Sequence, residues 1–259
     1  HYMPRFALDD VPPSRLGVIA ALADKMDSTA GCFGVGLVPT GAADPYALRR
    51  ATLGILRTLI AHNLDISLGE WTDAALDTLS DRLTRERDAV KDELLKFFAA
   101  RLRAMLMENH PTDITDGVLA AGFDLVPHVQ KKVEALSEFR RNALFEPLAA
   151  AFKRVMNILK DQKDFAAIDE SLLKENAERG LYEAFSHVER KISAALDSAE
   201  YAGALELLAG LKEPVDAFFN DVMVMAEDEA LRRNRLALLG RLAGLFSRIA
   251  DFRMIHTDL

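Results

Sequence analysis

DKMDSTAGCFGVGLVPTGAADPYALRRATLGILR, residues 24–57, is the stretch that decides the fold, because it predicts two helices joined by a glycine-rich elbow. A helical pattern ends near Gly31, and further glycines and two prolines follow. Asp44 then precedes Pro45 and an apolar-periodic run. Aspartate at the N-cap with proline at the first helical position is a strong helix-start signal. We therefore expect a second helix over 45–63.

The glycines of this elbow allow two interpretations. Gly31, Gly34 and Gly36 could form a phosphate cradle, but such cradles follow a strand and open a helix. Here a helix precedes the loop and prolines shape it. We therefore favour a rigid elbow in which the glycines supply positive φ angles.

Composition favours helices and limits the partners. The chain has 259 residues, half of them hydrophobic, and only 7% are aromatic. Alanine and leucine are abundant, which favours helices over sheets, and the length allows one to three domains. The net charge of −8 repels nucleic acid, so any such contact needs a locally basic face.

The single cysteine, Cys32, excludes an intrachain disulfide and fits a reducing compartment. No histidine stands beside it, so we interpret it as a packed residue rather than a catalytic thiol. We expect no signal peptide, because the first residues lack an apolar core. No apolar run approaches the ~20 residues of a membrane helix.

The remaining pattern predicts helices throughout and no strand. Thr72 to Met107 reads as one nearly continuous helix whose segment SDRLTRERDAVKDELLK has a solvated, mixed-charge face, with RNA contact as the alternative. Pro147 is expected to kink or divide a later helix. The other predicted helices lie at about 14–30, at 112–122, from 127 onward, and at about 181–199, 201–211, 214–224 and 228–253.

Three segments of the chain are locally basic. The helix over 45–63 has no acidic residue and carries Arg49, Arg50 and Arg57. Residues 126–160 hold seven Lys or Arg against three Glu, and residues 231–253 hold six Arg against one acid. The cations of the middle segment include Lys131, Lys132, Arg140, Arg141, Lys153 and Arg154.

The last helix separates an apolar arc from an arginine face. At about 100° per residue, Arg233, Arg241 and Arg248 fall together outside the arc of leucines. A solvated arginine face and an RNA contact are equally compatible with this pattern.

Arg235 points into the apolar arc of the same helix. An unpaired buried charge costs too much, so we expect it to pair with a buried acid or carbonyl, Asp221 and Glu227 being the candidates. Just upstream, Phe218, Phe219, Met223 and Met225 favour core packing over a base-stacking platform.

Two long motifs resemble one family in the expected order. ADKMD, GCFGVGLVPTGAADPYALRR and GILR, followed by FFNDVMVMAEDEALRRNRLALLGRLAGLFSRIADF at 218–252, are similar to the bacterial glycyl-tRNA synthetase β subunit. Residues 71–120 match weakly. The resemblance implies an all-α, multi-helix array: the end of an HD-like domain at 1–68, a helical linker at 69–180 and a DALR-like anticodon-binding bundle at 181–259.

The same resemblance implies a function in translation. It implies an α2β2 ligase of the cytoplasm that joins glycine to its tRNA using ATP and Mg²⁺, with catalysis on the α subunit. This chain would bind glycine tRNA and the α subunit. It would itself bind no cofactor or metal, carry no catalytic residue, and contact neither membrane nor DNA. The RNA-contacting residues would be Arg233, Arg241 and Arg248 flanked by Arg232, with Arg49, Arg50 and Arg57 as a further set.

Two other functions compete with this interpretation. The basic faces could dock an acidic partner protein, which would make the chain a helical scaffold without RNA contact. ADKMD also resembles the closing segment of HD-type metal hydrolases, in which a late aspartate ligates metal. That site needs an upstream histidine and a His-Asp pair, yet only His1 precedes Asp24 and no histidine is followed by aspartate.

Overall fold

A computed structural model of the chain describes residues 3–4, 9–41, 43–160, 162 and 164–257. Within these residues the chain forms eleven α-helices, two 3-10 helices and no strand, which confirms the all-α prediction. No helix in the described ranges is both long and apolar enough to cross a bilayer. The elements are α1 (Arg15–Gly34), α2 (Leu48–Ala61), α3 (Leu68–Thr78), α4 (Arg87–Leu106), α5 (Thr112–Ala121), α6 (Val126–Phe139), α7 (Phe145–Leu159), η1 (Glu170–Leu172), α8 (Asn176–Asp197), α9 (Tyr201–Ala209), α10 (Lys212–Asp221), α11 (Glu229–Phe246) and η2 (Phe252–Met254).

Contacts divide the chain into two compact units. The first unit comprises the described residues up to Asn109 together with Gly122–Gln130, and the second comprises His110–Ala121 and the described residues from Lys131 onward. The division into 1–68, 69–180 and 181–259 stays a prediction.

The elbow of the first unit begins later than the sequence indicates. Ser14 caps α1 by accepting a hydrogen bond from the Gly17 amide at 3.1 Å. The helix then continues to Gly34, four residues past its predicted end at Ala30, so Gly31 lies inside it. Gly36 and Gly41 have φ angles of 80° and 51°, which confirms positive φ in the elbow. Because a helix rather than a strand precedes the loop, the structure supports the elbow interpretation.

Asp44 caps α2, but the helix does not start at Pro45. The Asp44 carboxylate accepts hydrogen bonds from the amides of Leu48 at 2.8 Å and Arg49 at 3.0 Å. Residues 44–47 form a turn, in which the Ala47 amide donates to the Asp44 carbonyl at 3.1 Å. The turn places the carboxylate over the first free amides of the helix, so the predicted residue is right and the predicted boundary is three residues early.

The long helix predicted from Thr72 to Met107 is interrupted, because residues 79–86 cover the end of α1. The Thr84 amide donates to the Gly34 carbonyl at 3.1 Å, and the Arg85 guanidinium donates to the Phe33 carbonyl at 3.1 Å. The last carbonyls of a helix lack intrahelical partners, and this segment supplies them. Arg87 and Lys91, on the following helix, pair with the carboxylate of Asp73.

Aromatic side chains organise the core of the second unit. The rings of Phe152 on α7 and Phe246 on α11 stack with centroids 4.0 Å apart. Phe252 packs edge-on against both, at 5.3 Å and 5.7 Å. Pro147 lies in the first turn of α7, so it divides two helices as predicted. These contacts hold α11 in the bundle and thereby fix which of its residues face outward.

Candidate nucleic-acid interface

The candidate interface is built around α11. Asp228 caps the helix by accepting hydrogen bonds from the amides of Ala230 at 2.8 Å and Leu231 at 3.1 Å, which agrees with the predicted start of this helix near residue 228. Leu238 and Leu242 of the predicted apolar arc are buried. The helix therefore packs along this arc, and its arginines lie around the edge of the packed surface.

Arg235 is buried and paired, as predicted, but with a different carboxylate. Its guanidinium forms an ion pair with Glu178 of α8, and the two side chains are 7% and 1% exposed. It also donates to the Met223 carbonyl at 2.8 Å. The candidates Asp221 and Glu227 are wrong, because the true partner lies 57 residues upstream and no local sequence signal identifies it.

Arg241 and Arg248, like Arg235, pair with carboxylates of α8. The Arg241 guanidinium binds both carboxylate oxygens of Glu189, with one N–O distance of 2.7 Å. Arg248 binds Asp197. Bidentate pairing is the strong form of an arginine–carboxylate contact. We call the three pairs Glu178–Arg235, Glu189–Arg241 and Asp197–Arg248 the α8–α11 ladder.

The outer two pairs of the ladder differ from the buried one in their access to solvent. The side chains of Arg241 and Arg248 are 44% and 41% exposed, so an approaching anion can reach them. The hydrogen bonds and charge of Glu189 raise the pKa of Arg241. Arg241 therefore stays charged at physiological pH, and each of the two arginines already has an anionic partner.

The structure only partly confirms the shared arginine face. Arg233 is exposed and pairs with Glu229 of its own helix rather than with α8. Arg232 donates to the Ala226 carbonyl at 3.1 Å and so helps to fix the loop before α11. Arg248 lies beyond the last residue of α11, in the turn that follows. Of the four arginines predicted around the last helix to contact RNA, only Arg241 and Arg248 pair with carboxylates of α8.

A lysine adds positive charge near the end of the ladder. Lys132 of α6 places its ammonium 5.5 Å from the centre of the Tyr201 ring. Burial lowers the pKa of Lys132, and the positive charge of Arg248 lowers it further. Burial and the charge of Arg248 thus both disfavour the charged form of Lys132.

The α2 arginines of the first unit have different surroundings. Arg49 donates to the Gly41 carbonyl at 2.6 Å and to the Ala43 carbonyl at 3.3 Å, so it stabilises the elbow. Arg50 is exposed and Arg57 is half-buried. Their contact with RNA stays a prediction.

One basic feature of the second unit lies outside the predicted site. Lys153 and Arg154 of α7 line a groove of about 580 Å³ together with Asn157 and Thr257. The sequence places both cations in a basic segment, but the groove also needs a residue about a hundred positions later. We call it the α7 groove.

Comparison with known families places this geometry in a class. A profile described as "DALR anticodon binding domain" matches residues 148–251, which include nearly all of α7 and every helix from α8 to α11. The second unit thus contains a helical domain of the anticodon-binding class. A second profile, described as "Glycyl-tRNA synthetase beta subunit", matches residues 1–120.

Curated relatives cover essentially the whole chain. Proteins named "Glycine--tRNA ligase beta subunit" are 46% identical over 97% of this chain in Trichlorobacter lovleyi and 42% identical over 100% in Syntrophus aciditrophicus. The alignments cover 36% and 37% of these relatives. The chain belongs to the glycine–tRNA ligase β subunit family, and it spans a little over a third of the length of the curated relatives it matches.

Proposed function

We propose that this chain is the tRNA-binding part of a glycine–tRNA ligase β subunit and that its second unit receives the anticodon loop. The observation that carries the proposal is the coincidence of the anticodon-binding match with the bundle that contains the α8–α11 ladder and the α7 groove. The names of the relatives support tRNA ligation and do not favour the scaffold alternative.

The chemistry of the bundle suits an RNA loop. Recognition of single-stranded RNA needs phosphate contacts together with stacking and hydrogen bonds to unpaired bases. Arginine supplies both through its planar, multidentate head group. Because the net charge is −8, the attraction must be local and is expected to weaken steeply with salt.

The rest of the reaction belongs to the same proposal. Glycine activation with ATP and Mg²⁺, assembly with an α subunit into an α2β2 enzyme, and action in the cytoplasm are proposals from the family. No three histidine, cysteine or acidic side chains gather into a metal-binding group within the described ranges. Asp24 is exposed on α1.

The function is tested by equilibrium binding of labelled glycine tRNA to the chain across a salt series. We expect tighter binding of glycine tRNA than of a tRNA for another amino acid, with affinity falling as salt rises. Equal affinity for both tRNAs at ~0.15 M salt, or no binding of either, would contradict an anticodon-reading role.

The contribution of Arg241 is separated from its structural role by a matched pair of variants. Arg241→Gln and Glu189→Gln both remove the same ion pair, but only the first removes the cation. We expect Arg241→Gln to weaken tRNA binding about tenfold and Glu189→Gln to leave it unchanged or tighter. Equal losses in the two variants would show that Arg241 acts only by holding α11 against α8.

The pair Arg248→Gln and Asp197→Asn provides the same comparison at the other exposed pair of the ladder. Neutral substitutions are preferable to glutamate at Arg248, because a new carboxylate would lie against Asp197. Arg233 pairs with Glu229 on the exposed face of the same helix, outside the ladder. Arg233→Gln therefore tests whether a cation outside the ladder contributes to tRNA binding.

A further inference from the structure

The α7 groove combines volume, charge and an apolar side. It measures about 580 Å³, within the ~300–1,000 Å³ range of ligand sites in proteins. Four of its lining residues carry polar groups, and Ala150 and Ile158 supply an apolar border. The α7 residues recur at helical three- and four-residue spacing, so they share one face of the helix.

The cations of the groove are available to a ligand. Within the described ranges, neither Lys153 nor Arg154 has an ion-pair partner, and no acidic residue lines the groove. This distinguishes them from Arg241 and Arg248, whose charges are already matched by α8. An anion entering the groove therefore gains the attraction of both cations without displacing a carboxylate of the described residues.

Arg154 is also oriented in advance. Its guanidinium carbon lies 4.2 Å from the centre of the Phe219 ring, a close cation–π contact. The guanidinium lies over the Phe219 ring, and the residue is exposed. A nucleic-acid base can stack on the planar guanidinium while its N–H edge donates to a phosphate.

We propose that the α7 groove binds the backbone of a single-stranded RNA segment, with Lys153 and Arg154 on phosphate oxygens and a base stacked on Arg154. The Asn157 amide and the Thr257 hydroxyl lie in the same groove and can bond ribose or base edges. This rests on the proposed function and names a part of its RNA-binding surface.

The test measures salt dependence of binding, which counts ionic contacts. Labelled glycine tRNA and a labelled single-stranded heptaribonucleotide are titrated with the wild-type chain, Lys153→Gln, and Lys153→Gln/Arg154→Gln. Each cationic contact to a single strand contributes about 0.7 to the slope of log K against log salt, so the double variant is expected to lose about 1.4. The single variant, which keeps the Phe219 contact, is expected to lose about 0.7.

The control removes two neighbouring cations elsewhere. Arg190 and Lys191 are exposed on α8, and the groove does not include them. Arg190→Gln/Lys191→Gln changes the net charge by the same amount and is expected to leave the slope unchanged. Arg154→Lys keeps the charge but loses the planar stack, so it should keep the slope and lower affinity several-fold. Circular dichroism at each stage checks that the variants fold.

The outcomes separate the two proposals. If the wild-type chain binds RNA and the α7 variants keep its full slope, or the control loses as much, the groove proposal is overturned and the proposed function stands. If the wild-type chain binds no RNA, both are overturned. Inorganic phosphate is the third probe: competition by phosphate with no binding of the heptaribonucleotide would show a simple anion site and overturn the RNA assignment.

Discussion

Glu178 performs two tasks at the start of α8. One of its carboxylate oxygens accepts hydrogen bonds from the amides of Lys174 at 2.6 Å and Glu175 at 2.8 Å, which would otherwise lack partners at the helix start. The other oxygen pairs with buried Arg235. The residue therefore anchors a helix end and neutralises a charge inside the bundle.

Glu178→Gln tests the second task alone, because the amide oxygen of glutamine can still accept the backbone hydrogen bonds. Removing one partner of a buried ion pair leaves the other uncompensated, so we expect a loss of roughly 3–5 kcal/mol in the free energy of unfolding. Glu229→Gln, which breaks an exposed pair with Arg233, should cost about 0.5 kcal/mol or less. Urea unfolding followed by circular dichroism measures both. A loss under ~1 kcal/mol for Glu178→Gln would show that the charge of Glu178 is not needed to compensate buried Arg235.

The residue scale also shows what a sequence can identify at a site. The helical period of the last helix was enough to place Arg235 in the core and to require a partner for it. It could not name Glu178, because the pairing depends on how α8 and α11 pack and not on local spacing. The same holds for Arg241 and Arg248, whose outward position was predicted but whose carboxylate partners were not.

At the scale of elements, the first residue of a helix is set by the hydrogen bonds available to its free amides more than by the position of a proline. Asp44 supplies both carboxylate oxygens to the first amides of α2, although the helix begins three residues later than Pro45 suggests. The interruption between α3 and α4 has a similar origin. Residues 79–86 read as helix from their periodicity, but their hydrogen bonds close the end of α1, a demand that lies outside their own sequence.

Asp44→Ala is expected to destabilise the first unit by about 1–2 kcal/mol, because two amides at the start of α2 lose their acceptor. Trp71, the single tryptophan, lies in this unit and reports its unfolding by fluorescence. Asp27→Ala, at an exposed position of α1, should change stability by less than about 0.5 kcal/mol. Equal effects of the two substitutions would contradict a capping role for Asp44.

At the scale of the whole molecule, the sequence predicted the helical class and most helices, and the structure confirms both. What it missed concerns contacts between distant segments, such as Thr257 beside Lys153 and Arg154 in the α7 groove. Composition alone gave a net charge of −8, which argues against nucleic acid until the cations are placed in space. Local arrangement, rather than total charge, decides which anions approach.

Asp113 connects segments far apart in the chain and links stability to pH. Its carboxylate pairs with Arg140 at 2.8 Å and accepts a hydrogen bond from the His256 amide at 2.9 Å. Burial would raise the pKa of Asp113, but Arg140 and the His256 amide together hold it below its ordinary value. The folded pKa is thus lower than the unfolded one, near 3.9. Its contribution is complete above that pH and is lost as pH falls through the folded pKa.

Asp113→Asn is therefore expected to lower the free energy of unfolding by about 2 kcal/mol at neutral pH. The difference from wild type should shrink in acid, as pH falls below ~4 and the wild-type carboxyl binds its proton. Thermal unfolding followed by circular dichroism between pH 7 and pH 2.5 measures the difference. A gap that stays constant over this range would show that the carboxylate charge contributes nothing.

The α8–α11 ladder also restricts how the bundle can assemble. Leucine-rich helices can slide past one another by a turn and still bury much of their apolar surface. Such a slip here would carry Arg235 away from Glu178 and leave a cation in the core without a counter-ion. A misaligned packing would then be several kcal/mol less stable than the native one. The ion pairs therefore fix the register of two helices, which hydrophobic contact alone would specify only loosely.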